Sequence, residues 1–169
     1  EYFTLISAFK IIKGGKEEAR VHNYTVTAKE VKVFSERFGF AFTDGQKHAV
    51  NDIFENLYSP TRMNRLIQGD VGSGKTAVAL CGIFMAVKSG FTAAYLAHTE
   101  GLEAQNYEVL QRHFLDYRRG DLACGMTAKE KREMTAKLKN GEIDILCGTH
   151  AILQEDVETP RLSFIVCDE

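Results

Sequence analysis

Apolar residues after residue 40 recur at two spacings, one typical of helices and the other typical of buried strands. A helix is predicted after Thr43, because Thr43 and Gln46 have the spacing of a capping box and an apolar stripe follows until 59–60. Further helices are predicted over 77–87, 102–117 and 128–138, and strands over 65–68, 92–97, 122–125, 143–147 and 162–167. This alternation predicts an α/β fold in which helices cover both faces of a parallel sheet.

The first 40 residues have a weaker pattern. Residues 22–27 alternate as an extended segment does, and residues 28–38 have the spacing of an amphipathic helix. We therefore expect two parts. Residues 1–40 form a short, mostly helical linker or the end of a preceding domain, and residues 41–169 form the α/β unit.

The composition of the 169 residues fits one ordinary folded domain, with 44% apolar and 26% charged residues. The net charge is 21 − 23 = −2, which argues against strong autonomous binding to nucleic-acid phosphates. No apolar run approaches the ~20 residues that span a bilayer, and no signal peptide is visible, so no membrane partner is expected. The four cysteines lack metal-site spacing and are interpreted as small core residues. The chain has no initiator methionine and stops directly after Asp168 and Glu169, so we expect a fragment of a longer protein.

One glycine-rich segment carries the clearest chemistry, because it fits the pattern G-x-x-x-x-G-K-[ST] at every position. It consists of Gly69, Asp70, Val71, Gly72, Ser73, Gly74, Lys75 and Thr76, and is called the phosphate loop below. Glycines let backbone N–H groups turn toward phosphate oxygens, and the following helix presents its positive N-terminal end to the same anion. In such a loop Lys75 neutralises the β- and γ-phosphates, and the Thr76 hydroxyl binds Mg²⁺. The alternative is a flexible glycine turn with an exposed lysine.

The predicted strand over 162–167 delivers two carboxylates at its end, Asp168 and Glu169. In phosphate-loop ATPases an aspartate at this place holds Mg²⁺, and a following glutamate can polarise the attacking water. Ligands of parallel sheets bind beyond the carboxyl ends of the strands, so the pair is expected near the phosphate loop. The alternative is a strand that simply ends in solvent at two charged residues.

Four segments resemble the motor of the RecG family of bacterial ATP-dependent DNA helicases. Residues 63–76 resemble its motif I, residues 40–46 its upstream glutamine motif, residues 148–157 the motif after its fourth strand, and residues 168–169 the start of its motif II. The resemblance extends from about residue 40 to the end of the chain. It implies the first of two RecA-like lobes of a superfamily-2 motor, which uses ATP and Mg²⁺.

The resemblance also implies roles for single residues. Gln46 would read the edge of adenine, while capping its helix is the alternative, and both can hold. Residues after the second and fourth strands of the motor would contact the DNA backbone, namely Thr99, Glu100, Gly148, Thr149 and His150. Helix capping by the two threonines, and burial of His150, are the alternatives.

The chain departs from the family pattern near the predicted DNA track, at His98, Gly101, Glu103, Asn106 and Met126. Glu103 is expected to add a negative charge close to that track. These departures concern the DNA contacts rather than the ATP site.

The function that the resemblance implies is that of an ATP-dependent helicase or translocase that remodels branched DNA in recombination and repair. Its partners would be branched DNA, such as stalled forks and Holliday junctions, together with a second RecA-like lobe and a wedge domain of the same parent chain. Its location would be the bacterial cytoplasm, at the nucleoid. This fragment alone is expected to bind nucleotide weakly and hydrolyse it very slowly. Alternatives are the translocase module of a transcription-repair coupling factor and a degenerate ATP-binding scaffold lobe.

Overall fold

The computed structural model describes residues 21–97, 99–122, 126–149 and 159–168. The helices in these ranges are α1 (Ala28–Glu36), α2 (Asp44–Tyr58), α3 (Lys75–Lys88), α4 (Glu100–His113) and α5 (Ala128–Lys139). The strands are β1 (Thr92–Ala97), β2 (Arg119–Leu122), β3 (Ile145–Gly148) and β4 (Leu162–Asp168). Among the residues in these ranges, no helix is both long enough and apolar enough to cross a membrane.

Three helices begin at capping boxes, in which a threonine side chain and the residue three positions later cap each other's backbone N–H groups. The boxes predicted at Thr43 and Thr127 are confirmed. A third, formed by Thr27 and Glu30, begins α1. The helix predicted over residues 28–38 is therefore confirmed, with its apolar side buried.

The four strands form one parallel sheet in the order β2-β3-β1-β4. The connection from β1 to β2 runs in one direction through α4, and the connection from β2 to β3 runs back through α5. These two helices pack on opposite faces of the sheet, because α4 joins the larger core cluster and α5 joins the smaller one. Because the two connections run in opposite directions and lie on opposite faces, both crossovers have the same handedness, as expected for parallel sheets.

The larger core cluster lies between the first face of the sheet and α1, α2, α3 and α4. Most of helix α3 is buried, namely ten of its fourteen residues. The ring of Phe84 in α3 stacks on the ring of Phe34 in α1, with centroids 4.2 Å apart. Tyr24 and Val26 of the segment before α1 are buried in the same cluster. Residues 21–36 therefore pack directly on the α/β unit, while the proposed boundary at residue 40 stays a prediction.

On the second face α5 packs on β2, and the smaller cluster that contains Leu96, Leu138 and Leu146 extends from this helix to β3 and β1. Along β4 this face is open among the described residues, since Ile165 and Cys167 are exposed. The prediction of helices on both faces is thus confirmed for most of the sheet. The interpretation of every cysteine as a core residue is wrong for Cys167.

Three predicted elements differ from the structure. Residues 65–68 form no strand, because no described strand pairs with them, and Leu66 is 75% exposed. The third strand lies at Arg119–Leu122 rather than at 122–125, and residues 123–125 lie outside the described ranges. Helix α4 ends at His113, four residues before the predicted end, because Phe114 leaves the helical conformation with φ −121° and ψ 52°.

Gly82 in α3 permits a close approach of that helix to β4. A Cβ atom at this position would overlap the ring of Phe164, which is itself buried. Replacing Gly82 with Ala should therefore lower the free energy of unfolding by about 1 kcal/mol, since an overpacking cost of ~1–3 kcal/mol exceeds the ~1 kcal/mol gain in helix propensity. Urea unfolding followed by circular dichroism measures this change.

Gly101 supplies the matched control, because it is also helical but a Cβ atom there would meet no heavy atom within 4 Å. Gly101→Ala should raise the free energy of unfolding by about 0.5–1 kcal/mol. Equal stabilisation by both substitutions would contradict the close packing of α3 on β4.

Candidate nucleotide-binding site

The phosphate loop leads directly into α3 through two glycines with left-handed backbone conformations. Gly72 has φ +78° and Gly74, the N-cap of α3, has φ +80°. A side chain at Gly74 would in addition overlap the amide of Gln46. The positive φ angle therefore favours glycine at this position, and any side chain there would also displace the Gln46 amide.

The N-terminus of α3 has no side-chain cap, because Gly74 has no side chain to accept a hydrogen bond from the first turn. The first N–H groups of a helix have no partner within the helix and carry the positive end of its dipole. They are here preceded by a tight turn, in which the N–H of Ser73 donates to the carbonyl of Asp70 at 3.1 Å. This arrangement suits a phosphate group.

The Lys75 ammonium group lies against the phosphate loop. Its Nζ atom donates to the carbonyl oxygens of Gly69 at 2.8 Å and Asp70 at 2.9 Å. These bonds hold the positive charge beside the loop, where incoming phosphate oxygens would compete with the two carbonyls for the ammonium protons.

Gln46 connects the N-terminus of α2 to the phosphate loop. Its Oε1 atom accepts from the N–H of Thr43 at 2.8 Å, and its Nε2 atom donates to the carbonyl oxygen of Ser73 at 2.8 Å. The capping role expected as an alternative is confirmed. The bond to Ser73 could not be read from the sequence, since it joins residues 27 positions apart.

Thr76 and Asp168 meet through a residue that the sequence did not indicate, Tyr95 of β1. The Tyr95 hydroxyl donates to Oδ2 of Asp168 at 2.9 Å, and the Thr76 hydroxyl also interacts with it. Asp168 is the last residue of β4, so the carboxylate stands at the carboxyl end of its strand as predicted. A tyrosine in an apolar strand looks like a core residue, and only the strand pairing places its hydroxyl beside the acid.

The donor set fits a magnesium nucleotide. Mg²⁺ takes oxygen ligands and usually one or two carboxylates together with phosphate oxygens, and Asp168 and Thr76 offer a carboxylate and a hydroxyl close to an uncapped helix end. Glu169 lies outside the described residues, so its predicted role stays a prediction.

The structure describes most, but not all, of the residues predicted to contact DNA. Thr99 is exposed and caps α4 by accepting from the N–H of Leu102 at 3.4 Å, and Glu100 is the first residue of that helix. Gly148 is the buried last residue of β3, and Thr149 directly after it is also buried. His150 lies outside the described residues. The DNA contacts stay predictions.

Of the residues that depart from the family pattern, some are buried and others are exposed. Glu103 is 3% exposed and Asn106 is also buried, so neither presents its side chain to solvent, and the expected effect of the Glu103 charge on the DNA track stays a prediction. Both residues lie on the side of α4 that packs toward the sheet. Gly101 is exposed and Met126 packs against the smaller core cluster, while His98 lies outside the described residues.

A substitution at Gln46 can separate its two hydrogen bonds. Gln46→Glu keeps an oxygen for the N–H of Thr43 but removes the donor to Ser73, so the free energy of unfolding should change by less than about 0.5 kcal/mol. Loss of this bond should weaken ATP binding about fivefold, the equivalent of ~1 kcal/mol. Gln46→Ala also removes the cap and should cost about 1 kcal/mol of stability.

The same variants distinguish support of the loop from recognition of adenine. If Gln46 acts through the loop, the affinity for inorganic triphosphate, measured by calorimetry, falls together with the affinity for ATP. A loss of affinity for ATP alone would instead indicate that Gln46 recognises adenine. Unchanged affinity for both ligands would exclude both the support of the loop and the recognition of adenine.

Known proteins similar to this chain include bacterial DNA helicases. The chain is 40% identical over 156 residues to the ATP-dependent DNA helicase RecG of Synechocystis sp., which covers 91% of this chain and 19% of that protein. It is 37% identical over 159 residues to RecG of Bacillus subtilis, which covers 93% and 23%. The chain thus spans about a fifth of the length of these relatives, and the expected resemblance to RecG is confirmed.

Solved structures agree in fold. The structure of RecG bound to a three-way DNA junction matches with a TM-score of 0.84 and 34% identity, covering 95% of this chain and 22% of that one. A hypothetical ATP-dependent RNA helicase from Sulfolobus tokodaii matches with a TM-score of 0.59 and 18% identity, covering 85% and 41%, and shows the fold alone. The predicted RecA-like α/β fold is confirmed.

The model of the DEAD/DEAH box helicase family matches residues 43–169. The match begins at Thr43, which caps α2, and it includes the phosphate loop and Asp168. The chain therefore belongs to the DEAD/DEAH box helicase family.

Proposed function

We propose that this chain is the ATP-binding lobe of a helicase or translocase that remodels branched DNA in recombination and repair. The observation that carries the proposal is that the phosphate loop leads into α3, which packs on β4, and that β4 ends at Asp168. Support for the DNA substrate comes from the similarity, over 95% of this chain, to RecG bound to a three-way junction. Fork reversal and branch migration of Holliday junctions are the reactions proposed.

Each part of the nucleotide site has a proposed role. The uncapped N-terminus of α3 and the ammonium of Lys75 hold the β- and γ-phosphates. Thr76 and Asp168 hold Mg²⁺, which when bound neutralises charge on the phosphate oxygens. Glu169 orients and polarises the attacking water, and Gln46 supports the loop and reads adenine.

The DNA track and the partners are also proposed. Two of the residues proposed to contact the DNA backbone follow β1, namely Thr99 and Glu100. The others are Gly148, which ends β3, and the next two residues, Thr149 and His150. Short polar side chains and backbone N–H groups position a phosphate chain without reading bases. A second RecA-like lobe and a wedge domain of the parent chain complete the motor, which acts in the bacterial cytoplasm at the nucleoid.

ATP hydrolysis by the full-length protein that contains this chain tests the proposal. Hydrolysis should be low without DNA, and a three-way junction should stimulate it more strongly than linear duplex does. Lys75→Ala should lower the stimulated rate at least 100-fold, because the phosphate charge loses its principal cation. Phosphate release is measured by a coupled assay.

Lys88→Ala is the matched control, since Lys88 is the last residue of the same helix, roughly 20 Å from Lys75 at 1.5 Å per residue. Its exposed ion pair with Glu30 has little energetic weight, so the rate should not change. Equal stimulation by linear duplex and junction would favour the coupling-factor translocase, and absence of hydrolysis would favour the scaffold lobe.

The 169-residue chain by itself should hydrolyse ATP very slowly, with or without DNA. Phosphoryl transfer in this type of motor needs an arginine from outside the phosphate loop, and the second lobe is proposed to supply it. The measurement is single-turnover hydrolysis of labelled ATP by this chain beside the full-length protein. Rapid turnover by the chain alone would contradict the need for a second lobe.

A further inference from the structure

We propose that Tyr95 is a positioning residue for the metal site, which fixes the carboxylate of Asp168 beside the phosphate loop. The proposal rests on the ATP site proposed above and adds to it a residue outside the phosphate loop and the acidic pair. Tyr95 acts on the metal site through Asp168, to which its hydroxyl donates a hydrogen bond.

The strand register brings the two side chains together. Ala97 of β1 lies opposite Asp168 of β4, and Tyr95 lies opposite Val166, one pleat earlier. Residues two apart along a strand share a face, so Tyr95 and Asp168 project from the same face of the sheet. The long tyrosine side chain spans the offset and places its hydroxyl 2.9 Å from Oδ2 of Asp168.

Burial of the Tyr95 ring holds the hydroxyl that donates this hydrogen bond in one position. Tyr95 is 1% exposed and its ring belongs to the larger core cluster beneath α3. A close-packed ring has few alternative rotamers, so its hydroxyl occupies a defined point at the edge of the core. Asp168, in contrast, is the partly exposed last residue of its strand, where a carboxylate without such a partner can adopt several rotamers.

The direction of the bond suits a metal ligand. An ionised carboxylate only accepts hydrogen bonds, so the Tyr95 hydroxyl is the donor, and one donor leaves most of the acceptor sites of Asp168 for a cation.

The same hydroxyl interacts with Thr76, the second residue of α3. The Thr76 side chain carries the hydroxyl oxygen that is proposed to bind Mg²⁺. Tyr95 thereby contacts the two groups that are proposed to hold the ion, one on α3 and one on β4. Hydrogen-bond partners behind metal-binding carboxylates orient them, and removing such a partner typically costs 10–100-fold in metal affinity.

The test is Tyr95→Phe in the full-length protein, which removes the hydroxyl and keeps the ring. The matched control is Tyr24→Phe, because Tyr24 is also buried and its hydroxyl also bonds to β4, but to the carbonyl of Ser163 at 3.0 Å, near the opposite end of the strand. Thermal unfolding is measured for both variants, and both should remain folded with a similar fall in midpoint.

The readout is binding of a fluorescent ADP analogue as a function of Mg²⁺ concentration, with no catalytic turnover. Tyr95→Phe should raise the Mg²⁺ concentration at half-maximal binding enhancement about tenfold, while nucleotide affinity in excess EDTA stays within twofold of the unaltered protein. Tyr24→Phe should leave both quantities unchanged. In an Asp168→Asn background, Tyr95→Phe should have no further effect on the metal response, because the two residues act as one unit.

The proposal would be overturned if Tyr95→Phe left the Mg²⁺ concentration at half-maximal enhancement within twofold of the unaltered protein. It would also be overturned if the variant lost as much nucleotide affinity in excess EDTA as it loses with Mg²⁺. Failure of the proposed function gives a different result. In that case the unaltered protein binds no nucleotide, or binds it equally well with Lys75→Ala, and the positioning role is then overturned as well.

Discussion

The burial of α3 fixes the geometry of the whole site. Ten of its fourteen residues are buried, and each large apolar side chain buried in this way contributes roughly 1.5–3 kcal/mol. A helix with apolar residues on all sides has no polar face to direct it, so its position depends on shape. The close contact between Gly82 and Phe164 provides that shape, because it sets how near α3 approaches β4. The phosphate loop leads into the N-terminus of this buried helix, and it is therefore held against a rigid support.

Polar contacts at the carboxyl ends of the strands complete the positioning that the core begins. Lys75 bonds to the loop carbonyls, Gln46 ties the loop to the start of α2, and Tyr95 reaches Asp168. Each contact starts from a side chain whose own backbone is fixed by a helix or by the sheet. A phosphate site needs several groups placed within a fraction of an ångström, and rigid elements achieve this better than a mobile loop does.

The sequence predicts most of the fold and the centre of the site, because both depend on local signals. Capping boxes at Thr43 and Thr127, an apolar strand at β1 and the phosphate loop pattern each lie within a few consecutive residues. The errors arise where the deciding partner is distant in sequence. Apolar residues after His113 continue the helical spacing, yet Phe114 packs in a turn against Phe34.

Strands are harder to locate than helices for the same reason. An apolar segment such as 65–68 becomes a strand only when a neighbouring strand pairs with it, and the sequence does not show that neighbour. The apolar pattern does not reveal the edge strand β2, because Arg119 and Asp121 interrupt it, although Gly120 and Leu122 are buried. The burial of Glu103 was missed in the same way, since its side of α4 is set by the packing of that helix on the sheet.

Tyr95 shows why the register matters for chemistry as well as for the fold. In the sequence Tyr95 looks like one more core residue of a six-residue buried strand. A shift of the β1–β4 pairing by one residue would turn it to the opposite face from Asp168 and remove the hydrogen bond. The acid that is proposed to hold the metal is thus oriented by the same pairing that aligns the two strands. The coupling follows from sheet geometry, and it links the fold of the lobe directly to the chemistry at its edge.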